Sequence, residues 1–68
     1  MENKFKDRLK GLRIENNLTQ EKLSAETHIS QAAIAKWENG VRTPSMECLI
    51  ILVKYFKVSA DYLLGLED

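Results

Sequence analysis

A chain of 68 residues, 44% of them hydrophobic, makes one domain at most and buries only about 60% of the surface its unfolded form exposes, which leaves little room for an active-site cleft. One cysteine, Cys48, excludes an internal disulfide and suits a reducing compartment; the start MENKFKDRLK is charged without an apolar run, and the longest apolar run, Cys48 to Val53, is far below the ~20 residues of a membrane span, so a soluble intracellular protein is expected. Ten Lys and Arg balance ten Asp and Glu, which argues against a generally basic nucleic-acid coat.

The balance is uneven along the chain. Residues 1 to 43 hold eight Lys or Arg against six acids, and residues 44 to 68 hold two against four, so the basic half is the N-terminal one. A first helix is expected from about Asn3 to Asn16, with Phe5, Leu9 and Leu12 at helical spacing and Lys4, Lys6, Lys10 and Glu15 off that stripe. Ile14 falls outside the stripe and is expected to be exposed. Asn16 and Asn17 favour a turn over a helix interior, and Leu18 then points inward.

Thr19 is placed to cap a second helix from Gln20 to about Thr27 that buries Leu23, with small Ser24 beside it. His28 fills the turn that follows, where a positive φ is expected; His visits the left-handed region more readily than most non-glycine residues. No second ligand stands at useful spacing from it, so His28 is expected to bind no metal and to have no catalytic role. Ser30 caps a third helix from Gln31 to Asn39, and Gly40 ends it. At about 100° per residue, Ala33, Ile34, Trp37 and Glu38 fall on one face and Gln31, Ala32, Ala35, Lys36 and Asn39 on the other. Taken alone the second face reads equally as solvated surface. The paired caps, the turn spacing and alanines in place of longer charged residues favour a contact face, and two short helices with a tight turn between them outline a DNA-reading helix-turn-helix.

Ser45 is placed to cap a fourth helix through about Phe56. Leu49, Leu52, Val53 and Phe56 form its expected core stripe, flanked by Met46 and Ile50. Opposite lie Cys48, Ile51 and Tyr55, apolar or amphipathic residues where a monomer's surface helix should be charged. This stripe, with Leu64 and Leu66, is expected to make a symmetric dimer contact remote from the third helix. Ser59 caps a last helix from Ala60 to Leu64, and Gly65 stops it.

The run LTQEKLSAETHISQAAIAKWENG followed by RTPSMECLIILVKYFKVSADYLLG resembles the phage-repressor and Cro-like helix-turn-helix family, the xenobiotic-response-element type of bacterial regulators. The likeness extends from Phe5 to Gly65 and rests on the Leu-Thr-Gln entry, Ile-x-x-Trp-Glu-x-Gly, Thr-Pro-Ser and Val-Ser-x-x-x-Leu-Leu. It implies a single domain over residues 1–68, an all-α five-helix bundle of the lambda-repressor type, with the third helix in the major groove of double-stranded DNA. Carried over by position, Gln31 corresponds to the leading base reader, and a Gln amide can pair bidentately with adenine. Ala32 and Ala35 could offer methyl contact to thymine, and Lys36 could reach guanine or a phosphate. Gln20, Asn39 and Arg42 match phosphate contacts. Arg13 and Glu38 match an ion pair between the first and third helices, which agrees with Glu38 lying at the edge of the buried face; the alternative is two independent solvated charges. His28 departs from the glycine usual in the family's turn.

The expected function is a sequence-specific transcriptional regulator, a repressor, that binds a palindromic operator as a homodimer. The alternative is an antitoxin-like or anti-repressor module that binds another protein. No phosphate loop, nucleophile arrangement or metal spacing suggests an enzyme. Neither cofactor nor small-molecule ligand is expected, nor a separate sensing domain. The expected location is the bacterial cytoplasm, on the nucleoid, in a bacterial or phage-encoded protein.

Overall fold

Four of the five helices in the computed structural model, which describes residues 4–67, begin on a side-chain hydroxyl. Helix α2 (Gln20–Thr27), α3 (Gln31–Glu38), α4 (Met46–Phe56) and α5 (Ala60–Leu63) follow Thr19, Ser30, Ser45 and Ser59, each with extended backbone. Each hydroxyl accepts from the backbone N–H three residues on, at 3.0, 3.0, 3.2 and 3.0 Å in chain order. Such a cap satisfies one of the four donors that a helix start leaves unpaired and contributes about 1 kcal/mol. Helix α1 (Phe5–Glu15) has no side-chain cap. Asn3, where the first helix was expected to begin, lies outside the described residues.

The helix ends share one device. Asn17, His28, Gly40, Lys57 and Gly65 all have positive φ, between 56° and 79°, and each folds the chain back onto the last turn of its helix. After α1, the N–H of Asn17 donates to Ile14 and that of Leu18 to Arg13; after α3, Gly40 donates to Trp37 and Val41 to Lys36; after α5, Gly65 donates to Tyr62 and Leu66 to Asp61. These are paired Schellman closures. They make Asn16, Asn39 and Leu64 capping residues, so α1, α3 and α5 end one residue earlier than the sequence pattern suggests. Only two of the five left-handed positions are glycine. At His28 a side chain strains the backbone by about 1–2 kcal/mol, part of which glycine would return through its freer unfolded chain. We therefore expect His28→Gly to raise unfolding stability by about 0.5–1 kcal/mol. A lower denaturation midpoint in urea would contradict this.

Phe5, Leu9, Leu12, Leu23, Ile29, Ile34, Trp37, Leu52 and Leu63 form the core. Helix α1 packs on α3 and α5, α2 on α3 and α4, and α4 on α5, so α3 is held by the two helices that precede it. The edge of Phe5 meets Trp37 with ring centroids 6.1 Å apart, a favoured aromatic geometry that fixes α1 against α3. The guanidinium of Arg8 lies 4.3 Å from the centre of the Tyr62 ring, a cation–π contact tying α1 to α5. Ile14 is exposed, as its register predicts.

Helix α4 departs from its expected faces. Of the core stripe, Leu52 is fully buried, while Leu49, Val53 and Phe56 are half-buried against the core. The supposed outward stripe also splits: Cys48 and Tyr55 are half-buried and pack on the molecule's own core, leaving Ile51 exposed at 39%. Periodicity distinguishes faces but does not count neighbours. Helix α2 covers part of the side that the pattern left open, and the Tyr55 hydroxyl donates to the Glu26 carboxylate across that contact. This hydroxyl, followed by Lys22 at 3.5 Å, holds the Glu26 pKa below the ordinary carboxylate value. The folded pKa being depressed, the contact stabilises the fold above the unfolded carboxylate pKa and is lost as pH falls through the folded one.

Candidate nucleic-acid interface

The orientation of α3 is fixed at its last residue. A carboxylate at a helix C-terminus meets the negative end of the helix dipole, so Glu38 needs a cation. Arg13, in the last turn of α1, supplies it bidentately: Nε to Oε2 at 2.7 Å and Nη2 to Oε1 at 2.9 Å. The third guanidinium nitrogen, Nη1, donates to the Leu18 carbonyl at 2.8 Å, holding the turn into α2. The side chains are only 13% and 3% exposed. Glu38 raises the Arg13 pKa through this hydrogen bonding, against an opposing effect of burial. The pair inferred for the first and third helices is thus present as a part-buried ion pair.

Gln20 joins it. Its Nε2 donates to Glu38 Oε1 at 3.2 Å, placing the first residue of α2 on the same carboxylate. An amide nitrogen has two donor hydrogens, so this bond still leaves one for a ligand. The turn between α2 and α3 is internally tied as well. Ser24 Oγ donates to the Ile29 carbonyl at 2.5 Å, and Thr27 Oγ1 donates to the Leu23 carbonyl at 2.8 Å while accepting from the Ile29 N–H at 3.4 Å. Ile29 is buried beneath. Sequence reasoning found Ser24 only as a small residue and missed both Ile29 and the Gln20 link. A hydroxyl bonding five residues on, across a turn, leaves no periodic signal.

With its base fixed, α3 presents the expected outer face. Gln31, Ala32, Lys36 and Asn39 are exposed and Ala35 is half-buried, while Ile34 and Trp37 face the core. Gln31 is the first helical residue after the Ser30 cap. Beside this face runs an open groove of about 460 Å³ whose walls include Ala32 and Lys36 from α3 and Arg42, Thr43 and Ser45 from the loop into α4. The arrangement sets an amide and two methyl groups on the outer face of α3, with the cations Lys36 and Arg42 along the groove beside it. Such a surface can read base edges with the former and hold phosphates with the latter. It brings Gln31, Ala32, Ala35, Lys36, Asn39 and Arg42 onto α3 and the loop that follows it; Gln20 stands at the start of α2, attached through Glu38. Leu64 and Leu66 are exposed near the C-terminal end, on a different element from the groove.

Among the described residues, no cluster of three or more His, Cys, Asp or Glu is placed to hold a metal ion, and no helix is long and apolar enough to cross a membrane.

Comparison with known proteins gives this geometry a context. A helix-turn-helix family model matches residues 9–63. The chain is 44% identical over 64 residues to the HTH-type transcriptional activator BcrR of Enterococcus faecalis, covering 94% of this chain and 31% of that protein. It is 36% identical over 61 residues to the uncharacterized HTH-type transcriptional regulator YobD of Bacillus subtilis (strain 168), covering 90% of this chain and 54% of the relative. The crystal structure of a transcriptional regulator from Listeria innocua superposes with a TM-score of 0.87 at 26% identity, covering all of this chain and 64% of that one. The chain therefore spans about a third to about half the length of these two sequence relatives.

Proposed function

Because the chain belongs to the Cro-like helix-turn-helix family, we propose that it binds double-stranded DNA in a sequence-specific manner and regulates transcription in the cytoplasm, with α3 in the major groove. The observation that carries the reading is the outer face of α3: an exposed Gln31 at the helix start, small side chains behind it, and Lys36 and Arg42 along one groove. In this reading Gln31, Ala32, Ala35 and Lys36 meet base edges, and Gln20, Asn39 and Arg42 meet phosphates.

One copy offers few base contacts, so useful affinity calls for two copies on inverted half-sites one helical turn, about 34 Å, apart. The described residues extend 30 Å along their longest axis, so two copies at that spacing can meet. Ile51 and its neighbour Ile50, 44% exposed, with Leu64 and Leu66, are the apolar side chains available for such a contact; Tyr55 adds its exposed edge only, and Cys48 lines the groove beside α3 instead of lying remote from it as expected. The expectation of a repressor draws no support from BcrR, whose name is that of an activator. Where the operator lies relative to a promoter decides the sign.

The test is selection from random duplexes at two salt concentrations. Enrichment of two inverted half-sites one turn apart is the expected result. Replacing Arg42 by Ala should weaken all duplexes about equally and reduce the slope of log K against log salt by about 0.9 per subunit. A selection that enriches no sequence would overturn the reading and favour a protein-binding module, to which the neutral net charge is better suited.

A further inference from the structure

We propose that α1 adds a second row of DNA-phosphate contacts, Lys6 and Lys10, beside those of the helix-turn-helix. This rests on the reading of α3 as a DNA-facing helix and extends the interface to an element outside the motif. The argument starts from Gly40. A methyl group placed on it would lie 3.1 Å from Cδ of Lys6 and 3.7 Å from its ammonium nitrogen, so the Lys6 stem runs across the turn that ends α3 and delivers its charge beside the loop leading to Arg42. The second anchor is Arg13, seven residues on, which grips Glu38 and through it meets Gln20. Residues i, i+4 and i+7 share one helix face, so exposed Lys10 stands between these anchors. One ridge of α1 thus runs from the start of α2 to the turn that ends α3, with one end joined through Glu38 to the proposed phosphate contact Gln20 and the other beside Gly40, two residues before Arg42.

The charges on this ridge are unequal in their needs. Arg13 is neutralised by Glu38, whereas neither Lys6 nor Lys10 has an ion-pair partner among the described residues. Like charges at i and i+4 repel on an isolated helix; an anion spaced along the ridge relieves that repulsion. A phosphate backbone passing α3 is a regular row of such anions, and neutralising each phosphate releases a condensed counterion. The contact would therefore raise affinity for every sequence equally and leave base preference untouched.

The experiment uses the full chain and two duplexes of equal length, one carrying the selected site and one scrambled, with dissociation constants measured from 50 to 200 mM NaCl. The variants are Lys6→Met, which keeps the stem over Gly40, Lys10→Gln, their combination, and Lys54→Gln, at an exposed position of α4, as a control. The double variant should lower the salt slope by about 1.8 per subunit, weaken both duplexes by the same factor and keep the wild-type melting temperature. Lys6→Arg should keep the wild-type slope, and so should the Lys54 control. A slope unchanged in the double variant but reduced in Arg42→Ala overturns the α1 row alone. Absence of salt-dependent binding of the unsubstituted protein to either duplex overturns both this and the DNA-binding reading.

Discussion

Replacing Glu38 by Ala is expected to lower unfolding stability by about 3 kcal/mol, because it leaves a part-buried guanidinium without its counter-charge. For a domain of this size that corresponds to a fall of roughly 12–24 °C in melting temperature. The magnitude follows from geometry rather than from the presence of two opposite charges. An exposed pair contributes at most about 1 kcal/mol, but Arg13 and Glu38 are 13% and 3% exposed and doubly hydrogen-bonded, and the same carboxylate also accepts from Gln20. The substitution removes three bonds and strands three donor nitrogens, two of Arg13 and one of Gln20, at the junction of α1, α2 and α3. Glu38→Gln should fall between, since its carbonyl can still accept from Arg13 while the charge is lost. Replacing both partners by apolar residues of similar volume, Arg13→Met with Glu38→Leu, should recover much of the loss, because the cost lies chiefly in the unpaired charge. A melting temperature within 2 or 3 °C of wild type for Glu38→Ala would show two independently solvated groups and remove the basis for α3 being locked through its last residue.

The features legible in the sequence are those whose physics is local. A hydroxyl followed by an apolar periodic segment announces a cap, and Thr19, Ser30, Ser45 and Ser59 all serve as one. The left-handed turn at His28 could be read because the two-helix spacing demands it, whereas the same conformation at Lys57 carries no local mark. Faces of α3 were legible since α1 and α2 pack on the side carrying Ile34 and Trp37 and leave the other side exposed, so its own periodicity suffices to orient it. Helix α4 was less so: α2 and α5 flank it, and the hydroxyl of Tyr55 finds Glu26 across 29 positions of sequence, a distance over which spacing is uninformative. The same limit hid Arg8 on Tyr62 and Lys6 on Gly40. At the candidate interface the residue types were readable one by one. The Arg13–Glu38 pair was implied by the family resemblance, whereas the donation of Gln20 to the same carboxylate belongs to the fold.

Replacing Gln31 by Ala is expected to cost about 1–3 kcal/mol in binding to the preferred duplex for each subunit engaged, with no comparable loss on scrambled DNA. Gln31 is exposed on the first turn of α3, and alanine is a strong helix former, so the fold should be unaffected. What disappears is an amide that can donate and accept at once, the pattern that adenine offers in the major groove. Ala32 and Ala35 beside it carry only methyl groups, Lys36 can donate but not accept, and Asn39 lies at the far end of the helix, so no neighbouring amide can take over the role. The loss should therefore be confined to one base position in each half-site, seen in a repeated selection as relaxed preference there and nowhere else, while the salt slope stays as in the wild type. An equal loss on every duplex with a flatter slope would place Gln31 among the phosphate contacts. Unchanged affinity and preference would mean that α3 does not read DNA through its leading residue.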